Sequence, residues 1–548
     1  MDSQKVFRSL LFLTFTISVV LLWDSWQRAQ HPVVPVPSAA VSGTDVPQAS
    51  MPAVPAGPGA TAVTVQPGIQ SGRVVTVRTD YLIAEINTAG GDLRRLEFLQ
   101  QRDSKDRNKP FVLLQEHGSH TYIAQTGLLG AGLPNHQTEF AAQAEEYQLA
   151  EGKDTVEVRL QAMSATGANV SKIYVFHRGS YLIDVGYEIE NTGTSPISSS
   201  AYFQIVRDKS TPEGSSMFLP TYTGTAIYTE QDKFQKVDFA DIEKGKAKYT
   251  QTADNGWAGM LQHYFVSAWL PREKVQREFY TRHLKNDQFS VGLVLPVAAI
   301  AAGQTGKISV PFYAGPAQTS LDAIAPGLGL TVDYGWLTII STPLFWLLSN
   351  LHGWVSNWGV AIILLTVLIK LLFFPLSAAS YRSMAKMRVV APKLERIKQQ
   401  FGDDRERLHK AMMELYKTEK INPLGGCLPM IVQVPVFIAL YWAILASVEL
   451  RYAPFFGWIE DLSVPDPYYV LPLIMGATMI LQSKLNPVPP DPLQAKLMKT
   501  LPIIFSVVFF FFPAGLVLYS IVNNILSIVQ QWYITRRLET NAKGVAKT

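Results

Sequence analysis

Trp358-Gly-Val-Ala-Ile-Ile-Leu-Leu-Thr-Val-Leu-Ile-Lys-Leu-Leu-Phe-Phe-Pro375 is apolar enough for a membrane span, yet it carries Lys370 and no acidic residue to pair with it. A cation at membrane depth costs about 2.5–3.5 kcal/mol even on lenient insertion scales, which marks such a residue as a candidate functional site. The competing reading is snorkelling. Lys370 stands roughly six residues, or roughly 9 Å, from the expected inner end of its helix, and a four-carbon stem reaches most of that way. Position alone leaves both readings open.

The chain has 548 residues, a net charge of +4, 48% hydrophobic and 17% charged residues, so it is too long for one domain and too apolar to be wholly soluble. Its single cysteine, Cys427, excludes a disulfide framework. With no His or Cys clustered nearby, Cys427 reads as a small apolar helix residue, and no metal site is expected. Residues 1–24 read as an uncleaved anchor: Lys5 precedes the apolar run, Arg8 overlaps it, Asp24 follows, and small-x-small spacing is missing. No cysteine follows to carry a lipid. Residues 25–72 form a Pro- and Ala-rich tether in which Asp45 is the only charge after His31. Residues 73–320 alternate apolar and polar in runs such as Val74-Val-Thr-Val-Arg78 and Lys172-Ile-Tyr-Val-Phe176, separated by turns such as Ala89-Gly-Gly-Asp92. That pattern predicts a large antiparallel all-β sandwich on the outer side of the membrane.

Uncharged stretches follow at 334–369, 421–448, 467–483 and 500–535, the last broken into two spans by Pro513-Ala-Gly515. Its first half is short for a 30 Å core unless Leu497 and Met498 extend it. Within the first stretch, Leu337, Ile340, Leu344, Leu347, Leu348 and Leu351 share one stripe, as expected of a helix lying in the interface, so 321–355 is assigned outside the bilayer. Charge supports this. The loop after Pro375 holds eleven basic residues against six acids and belongs in the cytoplasm, whereas 449–466 is acidic and lies outside. The expected architecture is therefore a multi-domain membrane protein. Six transmembrane helices (1–24, 356–376 and four within 425–535) form an α-helical bundle, both termini are cytoplasmic, and the tail 536–548 is basic.

Residues 377–424 predict a cytoplasmic helical hairpin. Met384, Met387, Leu394, Ile397 and Phe401 recur near a 3.5-residue period, and Leu408, Met412 and Leu415 continue it after Gly402-Asp-Asp404. Its basic positions Arg382, Lys386, Arg388, Lys393 and Arg396 suit either a solvated face touching anionic lipid or contact with ribosomal RNA or a protein partner.

At several ordered motifs the sequence resembles a known family. Tyr381-Arg-Ser-Met-Ala-Lys-Met387, Lys420-Ile-Asn-Pro-Leu-Gly-Gly-Cys-Leu-Pro429, Gln433-Val-Pro-Val-Phe437, Ser447-Val-Glu-Leu-Arg451, Asp466-Pro-Tyr-Tyr469 and Phe512-Pro-Ala-Gly-Leu-Val-Leu-Tyr519 are similar to those of the YidC, Oxa and Albino membrane protein insertases. Gly256-Trp-Ala-Gly-Met-Leu-Gln-His-Tyr-Phe-Val-Ser-Ala-Trp269 resembles the Gram-negative form with a large periplasmic domain. The resemblance implies a galactose-mutarotase-like supersandwich in the periplasm and a polar groove in the helices of a bacterial inner-membrane protein. It further implies nascent membrane proteins with short or acidic translocated tails as substrates, and the Sec translocon (SecYEG, SecDF), the ribosome and lipids as partners, with no DNA and no cofactor. The family's groove cation, usually arginine, corresponds to Lys370, and its substrate contacts to Thr366 and the pair Tyr519-Ser520. Lysine keeps the charge but not the planar, bidentate fork of arginine.

Residue chemistry points the same way independently. Thr366, Lys370, Gln433, Ser506, Ser520, Asn523, Asn524 and Gln530 are polar groups on several spans, and such groups face a bundle interior or a wet cavity. For Gln433, Ser506 and Gln530 the rival reading is helix-to-helix hydrogen bonding. No GxxxxGK[ST], HExxH or GxSxG pattern is present, so no covalent chemistry is expected. Two other classes compete. A secondary transporter would need inverted repeats and acids in the spans, and a membrane-anchored carbohydrate enzyme would need His177 or His263 to converge with Glu188 or Glu190.

Overall fold

The structure, a computed structural model, describes residues 46–47, 72–103, 106–118, 120–164, 167–211, 222–402, 404–419, 428–485 and 492–545. The expected first span, most of the tether, Cys427 and the Asn422-Pro423 exit of the hairpin lie outside the described residues. The chain forms two compact units, the first almost entirely β and the second comprising the helical C-terminal part.

The β unit stacks a ten-stranded sheet on a nine-stranded one. Gln288–Ile300, Ile197–Asp208 and His120–Leu129 lie side by side in the first, and Thr305–Pro316, Leu182–Asn191, Ala168–His177 and Thr155–Met163 in the second, all antiparallel. Ala168–His177 shows the cause: Ala168, Val170, Lys172, Tyr174 and Phe176 are buried while the alternate residues Asn169, Ser171, Ile173, Val175 and His177 are partly or fully exposed, the period-2 signature of a sheet with one face on a core. Trp269, Phe203 and Phe312 pack together between the sheets.

Lys172 breaks the apolar pattern of that inner face. It is fully buried, donates to the Gly90 carbonyl at 3.0 Å, and lies 3.8 Å from Asp92. The rings of Phe140, Tyr174 and Tyr187 each stand 5.8 Å from its Nζ. The Ala89-Gly-Gly-Asp92 turn is thus tied across the sandwich, and its shape requires glycine: Gly90 and Gly91 take φ of 83° and 59°. Burial pushes the Asp92 carboxyl up, and Lys172 and Arg94 pull it part of the way back.

In the helical unit, Thr338–Val355 is followed by Trp358–Leu372, which Asn357 caps by accepting from the Val360 amide at 3.0 Å. The chain then bends by 66° into Phe374–Phe401, with Pro375 in its first turn. Proline suits a helix start, where its missing N–H has no partner to lose. Arg405–Thr418, Leu428–Ala446, Val470–Leu485, Pro492–Val508 and Ala514–Val545 complete the unit. Small residues set its closest contacts: a Cβ on Gly476 would meet Ser506 Oγ at 2.3 Å, and one on Gly359 would meet the Phe455 ring at 2.0 Å.

Of the six expected spans, one described helix, Ala514–Arg536, is alone long and apolar enough to cross a membrane, and the bent pair Trp358–Leu372 with Phe374–Met387 adds a second candidate. Val432–Ala446, Val470–Leu485 and Thr500–Phe511 are shorter apolar helices. Short helices fit a bilayer that is locally thinned.

Two local expectations shift. The leucine stripe of the interfacial helix turns towards protein, with Leu337, Leu348 and Leu351 buried, while Ile339, Trp346 and Trp354 are exposed on the other side. Ser341 Oγ pins this helix to the Ala439 carbonyl at 2.9 Å. In the hairpin, Met387, Leu394 and Met412 pack around Val390 and Tyr416, but Met384 joins Ala378, Tyr381 and Ile534 instead. The helix extends back to Phe374, so its first turns pack on the bundle and only its later ones pack on the second hairpin helix.

Candidate functional site

Three helices bring polar groups to one cleft. Trp358–Leu372 contributes Lys370, Leu428–Ala446 contributes Gln433, and Ala514–Val545 contributes Tyr519 and Asn523. Ile369, Phe373, Val432 and Val436 form apolar walls around a small open cleft of about 30 Å³. Four of the six residues expected in a groove therefore line one cavity.

Lys370 is 8% exposed, so snorkelling does not describe it in this conformation. Its Nζ donates to Ser527 Oγ at 2.7 Å, and Ser527 Oγ in turn donates to the Asn523 carbonyl at 2.7 Å. Tyr519 and Gln433 line the same cleft, and the Phe437 ring stands 6.3 Å from that of Tyr519. No acidic side chain is seen against the Lys370 ammonium among the described residues, and the Ser527 hydroxyl is its described partner. A hydrogen bond to a neutral hydroxyl leaves the charge uncompensated, which keeps it available to an incoming anion.

Thr366 and Ser520 are buried but do not line the cleft. Thr366 Oγ1 donates to the Ile362 carbonyl at 2.7 Å and Ser520 Oγ to the Leu516 carbonyl at 2.9 Å, each one turn back on its own helix. Asn524 Nδ2 reaches Thr478 Oγ1 at 3.3 Å, a helix-to-helix bond. Ser527 was missed by sequence reasoning. Its signal was available: Tyr519, Asn523 and Ser527 recur every fourth residue, one face of a helix.

The hairpin cations are spread along one helix. Arg382, Lys386, Lys393 and Arg396 are exposed, and Lys393 pairs with Glu419 at 2.7 Å. The side chain of Arg388 lies outside the described residues. In the β unit Glu188 and Glu190 line one open groove, where Asn169 donates to Glu190 at 3.0 Å, but neither His177 nor His263 lines it. His177 binds Asp184 at 2.8 Å, His263 stacks on Tyr264, and Glu188 is held by Lys307 at 2.6 Å and by Arg159. No group of three or more metal-ligating residues is found among the described residues.

Comparison with known proteins places this arrangement. Residues 74–347 match the family described as YidC periplasmic domain, and residues 350–542 that described as 60Kd inner membrane protein. The "Membrane protein insertase YidC" of Methylobacillus flagellatus is 54% identical, covering 100% of both chains. That of Nitrosospira multiformis is 53% identical over 100% of this chain and 99% of its own, and that of Nitrosomonas europaea 51% over 98% and 92%. A solved "Active YidC insertase" aligns with 85% of this chain and 93% of its own at 18% identity and a TM-score of 0.40. With two family regions tiling its folded parts and relatives of this identity along its whole length, the chain belongs to the YidC family of membrane protein insertases.

Proposed function

We propose that the protein inserts integral membrane proteins through the Lys370 cleft without covalent chemistry. The observation that carries the reading is an uncompensated buried cation, beside Gln433, Asn523 and Tyr519, in an otherwise apolar wall. A short acidic or polar tail is drawn towards Lys370 and exchanges bulk water for cleft hydrogen bonds part-way across a thinned bilayer. Its apolar segment then moves into lipid. Burial of about twenty apolar residues supplies the drive, and the cleft lowers the barrier met by the tail.

Six spans with both termini cytoplasmic, the β domain in the periplasm and the basic hairpin facing ribosome, Sec components or lipid headgroups complete the proposal. Insertion of a substrate with an acidic tail into vesicles carrying the purified protein tests it. Lys370→Arg is expected to retain insertion and Lys370→Ala to lose most of it. Full activity of Lys370→Glu would overturn the electrostatic step.

A further inference from the structure

Two residues of the tether, Val46 and Pro47, are placed against the β unit, and Pro47 is buried there. Val46 packs on Tyr202, Tyr280 and Val294, beside Leu129, on the side of the ten-stranded sheet that faces away from the other sheet. Arg282 Nη1 donates to the Val46 carbonyl at 3.1 Å while its guanidinium lies 5.3 Å from the centre of the Tyr280 ring.

The cradle is built into the sheet. Tyr202 sits opposite both Val294 and Gly127, and a Cβ on Gly127 would meet the Tyr202 hydroxyl at 2.4 Å. Tyr280 sits opposite Gly292, where a Cβ would meet its hydroxyl at 2.7 Å. Two missing side chains thus let two rings lie across neighbouring strands. The Tyr280 hydroxyl donates to Gln204 at 3.0 Å, and Gln204 donates to Gln125 at 2.9 Å, which fixes the floor.

We infer that this aromatic cradle is a binding site for an apolar-proline segment and that its occupant is the protein's own tether at Val46-Pro47. The chemistry matches on each side. Proline has no N–H to leave unpaired against the apolar rings, and Arg282 donates to the Val46 carbonyl before it. Flat aromatic rings with a donor beside them are the usual receptor for such segments. Docking at Val46-Pro47 fixes a point of the chain on the sheet 28 positions before the first strand begins at Val74.

The test uses the full-length protein in lipid nanodiscs, with p-benzoylphenylalanine in place of Leu129. Irradiation is expected to crosslink this position to the segment containing Val46 of the same chain, and Val46→Asp, outside the sheets and so harmless to their folding, is expected to cut the yield about tenfold. A fluorescent peptide of residues 41–52 added to the uncrosslinked protein is expected to bind the Val46→Asp chain about tenfold more tightly than the wild type, whose site is filled from within at high effective concentration. Crosslinks to a second copy or to another segment, a yield unchanged by Val46→Asp, or equal peptide binding by both chains would each overturn the assignment.

Discussion

Replacing Lys172 by methionine should destabilise the β unit strongly. The ammonium is fully buried and donates to the carbonyl of Gly90, with Thr126 O at 3.4 Å and Asp92 at 3.8 Å. Methionine fills the space but leaves Asp92 with Gln125 at 3.0 Å and Arg94 at 4.0 Å as its compensation. Removing one partner of a buried pair costs about 3–5 kcal/mol, which for a domain of this size lowers Tm by roughly 6–20 °C. The pH dependence identifies the cause. Burial raises the folded-state pKa of Asp92 above its unfolded value, so this group stabilises the fold fully below the unfolded pKa and ceases to do so as pH rises through the folded one. Without Lys172 that folded pKa climbs further. The deficit of Lys172→Met should therefore be large at pH 7.5 and shrink at pH 5, as followed by urea unfolding of the β domain. A variant as stable as wild type, or a deficit equal at both pH values, would refute the argument.

Ser527→Ala removes the described acceptor of the Lys370 ammonium, and the loss should reach about 1–2 kcal/mol in bundle stability but fall towards zero in a Lys370→Leu background, as a double-mutant cycle in detergent would measure. Thr366→Val should leave insertion within about twofold of wild type, because the hydroxyl it removes is spent on the Ile362 carbonyl of its own helix. Removing residues 393–417 should leave a membrane-integrated protein that crosslinks poorly to nascent substrate, since the seam around Val390 and Tyr416 is thin; unchanged crosslinking would make the hairpin a lipid-facing surface only. Deleting residues 73–320 while keeping Thr338–Val355 should preserve insertion in vesicles, and failure at normal protein level would move the path to the β domain.

Much of the cleft was legible because polar residues stand out against apolar spans: Lys370, Gln433, Tyr519 and Asn523 line it together. Which polar groups would face inward was less legible. Thr366 lies one turn from Lys370 in sequence, yet a threonine can bond back to the carbonyl four residues earlier, and composition does not reveal that choice. The alternation of the β domain was plain in Ala168–His177, and it sets Lys172 on the inward face with Val170, Tyr174 and Phe176, but it does not say what compensates a cation there. Its burial depends on Asp92, eighty positions away in the chain, a pairing no local pattern encodes. The interfacial stripe misled for a related reason: apolar residues on one face of a helix state that the face is covered, not whether lipid or protein covers it.

The 66° break after Leu372 has an electrostatic consequence for the lysine two residues before it. Had the helix run on unbroken through Phe373, Lys370 would sit in mid-helix, where the peptide dipoles before and after it cancel. Because the helix stops, Lys370 lies in its last turn, beside the negative end of the summed dipole, where a cation gains about 0.3–1 kcal/mol at an exposed site and up to about 2 when partly buried. That gain offsets part of the desolvation cost without any counter-ion. The same negative pole stands close to whatever anion the lysine attracts, so a carboxylate is drawn in by the ammonium and repelled by the helix end behind it. Under the insertion proposed above, a cation held in this way would grip an acidic tail weakly enough to let it go.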